Sequence, residues 1–243
     1  MCIRDSANDY GDALRGTDAN RSENAPTRAV ASGQLGTAAV RRWLMATTLA
    51  ATASGVALLL VCLHGWRDWL VFLLLGALAI AAALAYTLGR RPYGYRALGE
   101  VAVFLSFGLL GVCGNVYLQT HTLPAPVLLP AAGSGLLAAN VLHINNIRDL
   151  SSDWAAGKHT LANKLGFSGS LKMHRVLLLA GLACYALYAE LAWQSVLSLP
   201  MILCHAHRVA AARNEAEAGA ELGAAVMLHF AVNALFAIGV LLT

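Results

Sequence analysis

Seven long apolar stretches, set off by short polar ones, divide the chain: residues 43–63, 69–88, 98–118, 123–144, 173–189, 191–206 and 222–242. Each is close to the ~20 residues that an α-helix needs to cross a bilayer. The pattern therefore predicts an all-α, polytopic membrane protein with seven transmembrane helices, residues 1–243 forming one transmembrane domain. The first two stretches hold no charged residue, and the third holds one, Glu100, near its start. The fifth and sixth are short and are divided only by "AELAWQS" at 189–195. Pro124, Pro126 and Pro130 mark the beginning of the fourth, where a missing N–H costs a helix least. Glycine and alanine recur in all seven, and such small residues let membrane helices pack backbone to backbone.

Composition supports the same class. Hydrophobic residues make up 58% of the chain and charged residues 12%, against ~25% charged in a typical soluble domain. With a mean hydropathy of +0.60, the chain has too few polar groups to cover a soluble surface. The five cysteines form no C-x-x-C pair, and Cys62, Cys113, Cys184 and Cys204 sit in apolar runs. They read as small buried hydrophobes, not as a disulfide frame or a metal site. The net charge of +4 is small and gives no reason to expect a nucleic-acid partner. Trp43, Trp66 and Trp69 fall at helix ends, the place of an interfacial aromatic belt. His64 and His121 are expected at the interface on one face, and His143 as a satisfied histidine between helices. The "RVAAARNEAEAGAELG" segment reads as a charged connector without a motif.

The 17 Lys and Arg residues carry more information in their placement than in their sum. Sixteen fall before the first stretch or after the second, fourth and sixth, and only Arg67 falls on the opposite side. The positive-inside rule makes the rich side cytoplasmic. The chain then begins inside and ends outside, and residues 7–42 form a cytoplasmic segment.

That topology brings two acidic clusters to the same face. In "NNIRDLSSDWAAGK" at 145–158, Asn145, Asp149 and Asp153 are spaced to share one face of a helix. In "NDYGDALRGTD" at 8–18, the candidates are Asn8, Asp9, Asp12 and Asp18. A single D-x-x-x-D reads equally well as a solvated helix end, but two such clusters on one face do not. Paired banks of carboxylates suit a hard divalent cation such as Mg²⁺, which is held by few carboxylates together with substrate phosphates. Arg15, Arg148 and Lys158 beside the clusters, and Arg91 on the same predicted face, are the cations expected to neutralise the remaining charge of a diphosphate.

"NDYGDALRGTD", "YTLGRRPYGYRALGE" and "NNIRDLSSDWAAGKHTLANKLG" resemble the signature segments of the 1,4-dihydroxy-2-naphthoate polyprenyltransferases, a branch of the UbiA superfamily of intramembrane prenyltransferases. The likeness runs from about residue 7 to the end. The two Asp-rich motifs mark the superfamily, and "RPYGYRALGE" and "AGKHTLANKLG" narrow it to the naphthoate branch. The resemblance implies a helical bundle of nine transmembrane helices in a bacterial inner membrane, with its active-site mouth facing the cytoplasm. Seven of the nine are read here, so the chain is expected to be N-terminally truncated and inactive alone, with "MCIRDS" foreign to it. It also implies Mg²⁺ as cofactor and polyprenyl diphosphate, 1,4-dihydroxy-2-naphthoate and the lipid bilayer as partners. The products are CO₂, diphosphate and demethylmenaquinone. Carried over by position, Asp9, Asp12, Asp149 and Asp153 are the catalytic, metal-binding set. Asn8, Arg15, Asp18, Arg91, Glu100, Asn145, Arg148 and Lys158 are substrate-binding. Tyr86 and Tyr93 fall in the middle signature, and Glu100 is expected either to orient the aromatic substrate or to pair with Arg96.

Three other readings compete. A CDP-alcohol phosphotransferase needs a compact D-G-x-x-A-R that this chain lacks. A cation transporter predicts carboxylates near the bilayer midplane, not gathered at one face. A 4-hydroxybenzoate prenyltransferase is the nearest rival within the superfamily.

Overall fold

The computed structural model describes residues 36–86, 92–188 and 193–242. The chain separates into two compact units: Met1–Arg96 with Ser152–Lys158, and Ala97–Ser151 with His159–Thr243. Among the described residues six helices are long and apolar enough to cross a membrane, and no β-strand is present.

The first unit contains α1 (Thr37–Cys62) and α2 (Trp66–Ala85). Leu63 leaves α1 in an extended conformation, its N–H still bonded to the Leu59 carbonyl, and the indole N–H of Trp69 donates to the Leu63 carbonyl at 3.2 Å. Trp66 is exposed beneath the Arg67 guanidinium, which lies 5.6 Å from the ring centroid. An apolar ring beside a polar head is what a membrane–water boundary favours. No residue of α2 is buried. An apolar helix with no buried face requires an apolar solvent, and lipid provides it. At the other end of α2 the Tyr93 hydroxyl donates to the Ala82 carbonyl at 2.8 Å. The Gly94 N–H donates to the Tyr86 carbonyl at 3.1 Å. The first two tyrosines of the middle signature thus close the last turn of α2, whose carbonyls lack helical donors.

The second unit is built around α4 (Leu128–Arg148). Against it pack α3 (Gly99–Thr120), α6 (Leu161–Leu187), α8 (Glu215–Ala220) and α9 (Leu222–Leu242). Leu137 of α4 meets Leu178, Leu182 and Tyr185 of α6, Ile202 and Ala206 of α7 (Leu199–Ala210), and Leu228 and Val232 of α9. The Tyr185 hydroxyl donates to Asn233 Oδ1 at 2.8 Å, giving the buried phenol a partner. Over Phe104–Cys113 α3 adopts π geometry. There Gly108 meets Gly135 of α4 so closely that a Cβ on Gly108 would stand 2.6 Å from the Ala131 carbonyl oxygen and 2.7 Å from Gly135 Cα. Gly108→Ala is therefore expected to destabilise the protein by about 1–3 kcal/mol through overpacking. Gly55→Ala on α1, where a Cβ meets nothing within 4 Å, should not. Thermal unfolding in detergent checks this, and equal melting of the two variants would contradict the close approach.

Two predicted segments differ in outline. The fifth begins at Leu161, not at 173, because Thr160 caps the helix: its Oγ accepts from the Asn163 N–H, and Asn163 Oδ1 accepts from the Thr160 N–H. This capping box starts α6 inside a polar stretch that hydropathy passes over. A non-helical Gly166 (φ 67°, ψ 173°) kinks it early. The sixth is a 3₁₀ turn, Trp193–Ser198, followed by the short α7. The cysteines are less buried than expected. Cys62, Cys113 and Cys184 are half-buried and Cys204 is exposed, since many small side chains on these helices face outward.

Candidate functional site

The second acidic cluster sits where α4 ends. The predicted single helical face is interrupted: Arg148 is the last residue of α4, Asp149 takes φ −97° and ψ 13°, and a separate short helix α5 covers Leu150–Ala155. The break lets the Asp149 carboxylate turn back on its own helix. Arg148 Nε donates to Asp149 Oδ1 at 2.8 Å and Arg148 Nη2 to Oδ2 at 2.7 Å. The same Nη2 donates to Asn145 Oδ1 at 2.9 Å. A planar guanidinium matches a carboxylate in this two-pronged way and a lysine cannot. A cation here also faces the negative end of the α4 dipole.

Both members of the pair are buried. Part of the covering comes from α8, where a Cβ on Gly219 would stand 2.5 Å from Arg148 Cγ. Only glycine lets the arginine stem lie against that turn. Asn214 caps α8, accepting from the Glu217 N–H at 2.9 Å. Glu215 accepts from the Ser151 N–H at 3.1 Å and from the Ser151 hydroxyl. The segment expected to be a plain connector is thus part of the wall around the acidic cluster. From α6, Asn163 Nδ2 donates to the Leu150 carbonyl at 2.7 Å.

Asp153 and Lys158 belong to the first unit. Lys158 Nζ lies 3.1 Å from Asp153 Oδ1 and 3.0 Å from Oδ2, and the Lys158 N–H donates to the Asp153 carbonyl at 2.8 Å. Glu100 is buried and bonds to His143 and Asn146: Oε1 lies 3.0 Å from His143 Nδ1 and accepts from Asn146 Nδ2 at 3.0 Å. His143 and Asn146 are one turn apart on α4, so both reach the same Glu100 oxygen. Asn8, Asp9, Asp12, Arg15, Asp18 and Arg91, and residues 1–6, lie outside the described residues.

The donors near the break are hard oxygens, the Asn145 amide and the Asp149 carboxylate. Their chemistry fits Mg²⁺. Among the described residues no group of three His, Cys, Asp or Glu side chains converges tightly enough to hold an ion. Few protein carboxylates completed by substrate phosphate oxygens suit that arrangement. Asn146 was missed in the sequence as a functional candidate. Its link to Glu100 spans 46 residues, and no local pattern encodes such a contact.

The profile of the UbiA prenyltransferase family matches residues 4–241. A 1,4-dihydroxy-2-naphthoate octaprenyltransferase from Haemophilus influenzae is 38% identical over 97% of this chain and 78% of its own length. The Escherichia coli protein of the same name is 38% identical over 98% of this chain and 79% of its own. A 2-carboxy-1,4-naphthoquinone phytyltransferase from Synechocystis is 31% identical over 72% of this chain and 59% of its own. No solved structure gives a significant match.

Proposed function

The chain belongs to the UbiA prenyltransferase family, and from that premise we propose that it transfers a polyprenyl group from polyprenyl diphosphate to 1,4-dihydroxy-2-naphthoate within the membrane. CO₂ and diphosphate leave, and the product is the demethylmenaquinone skeleton. The observation that carries this reading is the buried Arg148–Asp149–Asn145 cluster at the end of α4, in a chain similar along its length to two naphthoate octaprenyltransferases.

Arg148 and Asp149 together are neutral, so the pair alone does not attract a diphosphate. The Lys158–Asp153 pair is neutral in the same way, and Arg91 would supply further positive charge. Asp9, Asp12, Asp149 and Asp153 are the residues that would hold Mg²⁺ by the motif resemblance, and the ion would supply charge neutralisation for a departing diphosphate. The Asn145 amide and the Arg148 fork orient the Asp149 carboxylate. Such preorganised dipoles stabilise charge that develops as a bond breaks. The apolar helices keep water from the allylic cation until the electron-rich ring attacks it.

The protein is multi-pass, and the reading places it in a bacterial inner membrane with the cluster at the cytoplasmic face. Single cysteines at positions 158 and 67, in a background without native cysteines, should be labelled from opposite sides of the membrane. Labelling of both from one side would contradict this orientation. The reaction itself is tested by offering membranes that contain the protein a polyprenyl diphosphate with naphthoate or 4-hydroxybenzoate. A prenylated naphthoquinol is expected. Transfer to 4-hydroxybenzoate alone would move the protein to another branch of the family.

A further inference from the structure

Glu100 has one carboxylate oxygen fully engaged and one with no hydrogen-bond partner. Oε1 faces His143 Nδ1 and Asn146 Nδ2 at 3.0 Å each. Oε2 is buried and lacks a partner among the described residues. The other nitrogen of His143, Nε2, lies 3.1 Å from the Ser170 carbonyl oxygen. A carbonyl only accepts, so Nε2 must carry a proton and donate it. Nδ1 faces a carboxylate oxygen, so a second proton lies between them and the two residues form one hydrogen-bonded unit. A buried carboxylate oxygen left unpaired costs more than a polar atom normally tolerates. Asn140, one turn before His143 on α4, is likewise buried with Oδ1 unpartnered. On α3 and α4 every unpartnered buried side-chain atom is thus an acceptor, which suits a ligand that brings hydroxyl donors.

Position agrees with chemistry. Asp149 follows His143 by six positions in the same chain segment, ~9 Å at ~1.5 Å per residue. With the diphosphate at Asp149, as the proposed function has it, an acceptor hydroxyl at Glu100 would lie about that far from the leaving group.

We propose that the acceptor's hydroxyl is held by Glu100 Oε2, and that Glu100, positioned by His143 and Asn146, is the base that takes its proton when the ring attacks. This rests on the prenyl-transfer reading above. The ring carbon that carries the carboxylate forms a bond to the allylic carbon, and the allylic C–O bond breaks with its electron pair leaving on diphosphate. The neighbouring C–OH becomes C=O, and its proton moves to Oε2. The hydroxyl of a ring acquiring positive charge is strongly acidic, so a carboxylate is basic enough to accept it. The C–CO₂ bond of the resulting β-keto carboxylate then breaks, its electrons form an enolate, and the enolate oxygen recovers the proton from Glu100. No net proton is released and no further reactant is needed.

The test compares wild type, Glu100→Gln, Glu100→Asp and His143→Gln in membranes, each assayed for naphthoate prenylation and for binding of radiolabelled farnesyl diphosphate. Wild type is read first: if it prenylates no naphthoate, the functional reading itself fails. Given an active wild type, Glu100→Gln keeps the shape but cannot take a proton. Its kcat should fall about 10²–10⁴-fold with donor binding unchanged, and Glu100→Asp should recover part of the loss. A Glu100→Gln kcat within about threefold of wild type, or equal loss in the Gln and Asp variants with donor binding intact, would overturn the proposal. If Glu100→Gln fails to accumulate, His143→Gln decides. A fall in kcat of about 100-fold with acceptor KM within about twofold supports the positioning role, and an unchanged kcat overturns it.

Discussion

Replacing Asp149 by Asn is expected to cut prenyl transfer by about 10²–10³-fold, the loss typical when one preorganised electrostatic group is removed from an active site. Asn keeps the size of the side chain and removes its charge. It leaves the Arg148 fork, which now reaches both Asp149 oxygens at 2.8 and 2.7 Å, with only one oxygen to bond. It also removes one of the carboxylates assigned to Mg²⁺, so a chelator should abolish the transfer that the wild type shows. The same substitution at Asp153 removes the carboxylate charge that pairs with Lys158 and should have a similar effect. Both variants should still insert in the membrane, because each transmembrane helix satisfies its own backbone. Transfer undiminished in chelator or in Asp149→Asn would refute the assignment of this cluster.

The second large effect is expected at Arg148. Truncation to Ala removes the cation that pairs with the buried Asp149 carboxylate. Breaking a buried pair by removing one partner costs about 3–5 kcal/mol. The Ala variant should therefore lose both thermal stability and activity. Lysine keeps the charge but offers a single ammonium where the guanidinium bonds Asp149 through two nitrogens and Asn145 as well. Arg148→Lys should hold most of the stability and lose most of the activity. Comparing the two variants by thermal unfolding and by turnover separates the charge from the geometry. Full activity in the lysine variant would show that the fork is not needed.

Helix placement was largely legible in the sequence because bilayer thickness fixes the length of an apolar run. The first four stretches and the last each coincide with a helix, the largest difference being the start of the first, at Thr37 and not at 43. The Asn145, Asp149 and Arg148 cluster was legible for a related reason: its members are local, and its spacing survives the break at Asp149. What hydropathy could not show depends on contacts far apart in sequence. Glu100 and His143 are 43 residues apart, and Ser151 and Glu215 are 64 apart. The same blindness hid α8, whose Gly219 makes room for the Arg148 stem. The polar start of α6 was hidden because Thr160 and Asn163 support the helix by hydrogen bonds, which an apolarity scale counts against it.

The central claim is that prenyl transfer to naphthoate and loss of its carboxylate are one event at this site. Naphthoate labelled with ¹⁴C in the carboxylate and a polyprenyl diphosphate labelled with ³H allow both to be counted in one reaction on membranes containing the protein. Prenylated product carrying ³H and no ¹⁴C, with one labelled CO₂ released for each prenyl group transferred, is the predicted result. Prenylated product that keeps the ¹⁴C carboxylate, or CO₂ released without transfer, would contradict it.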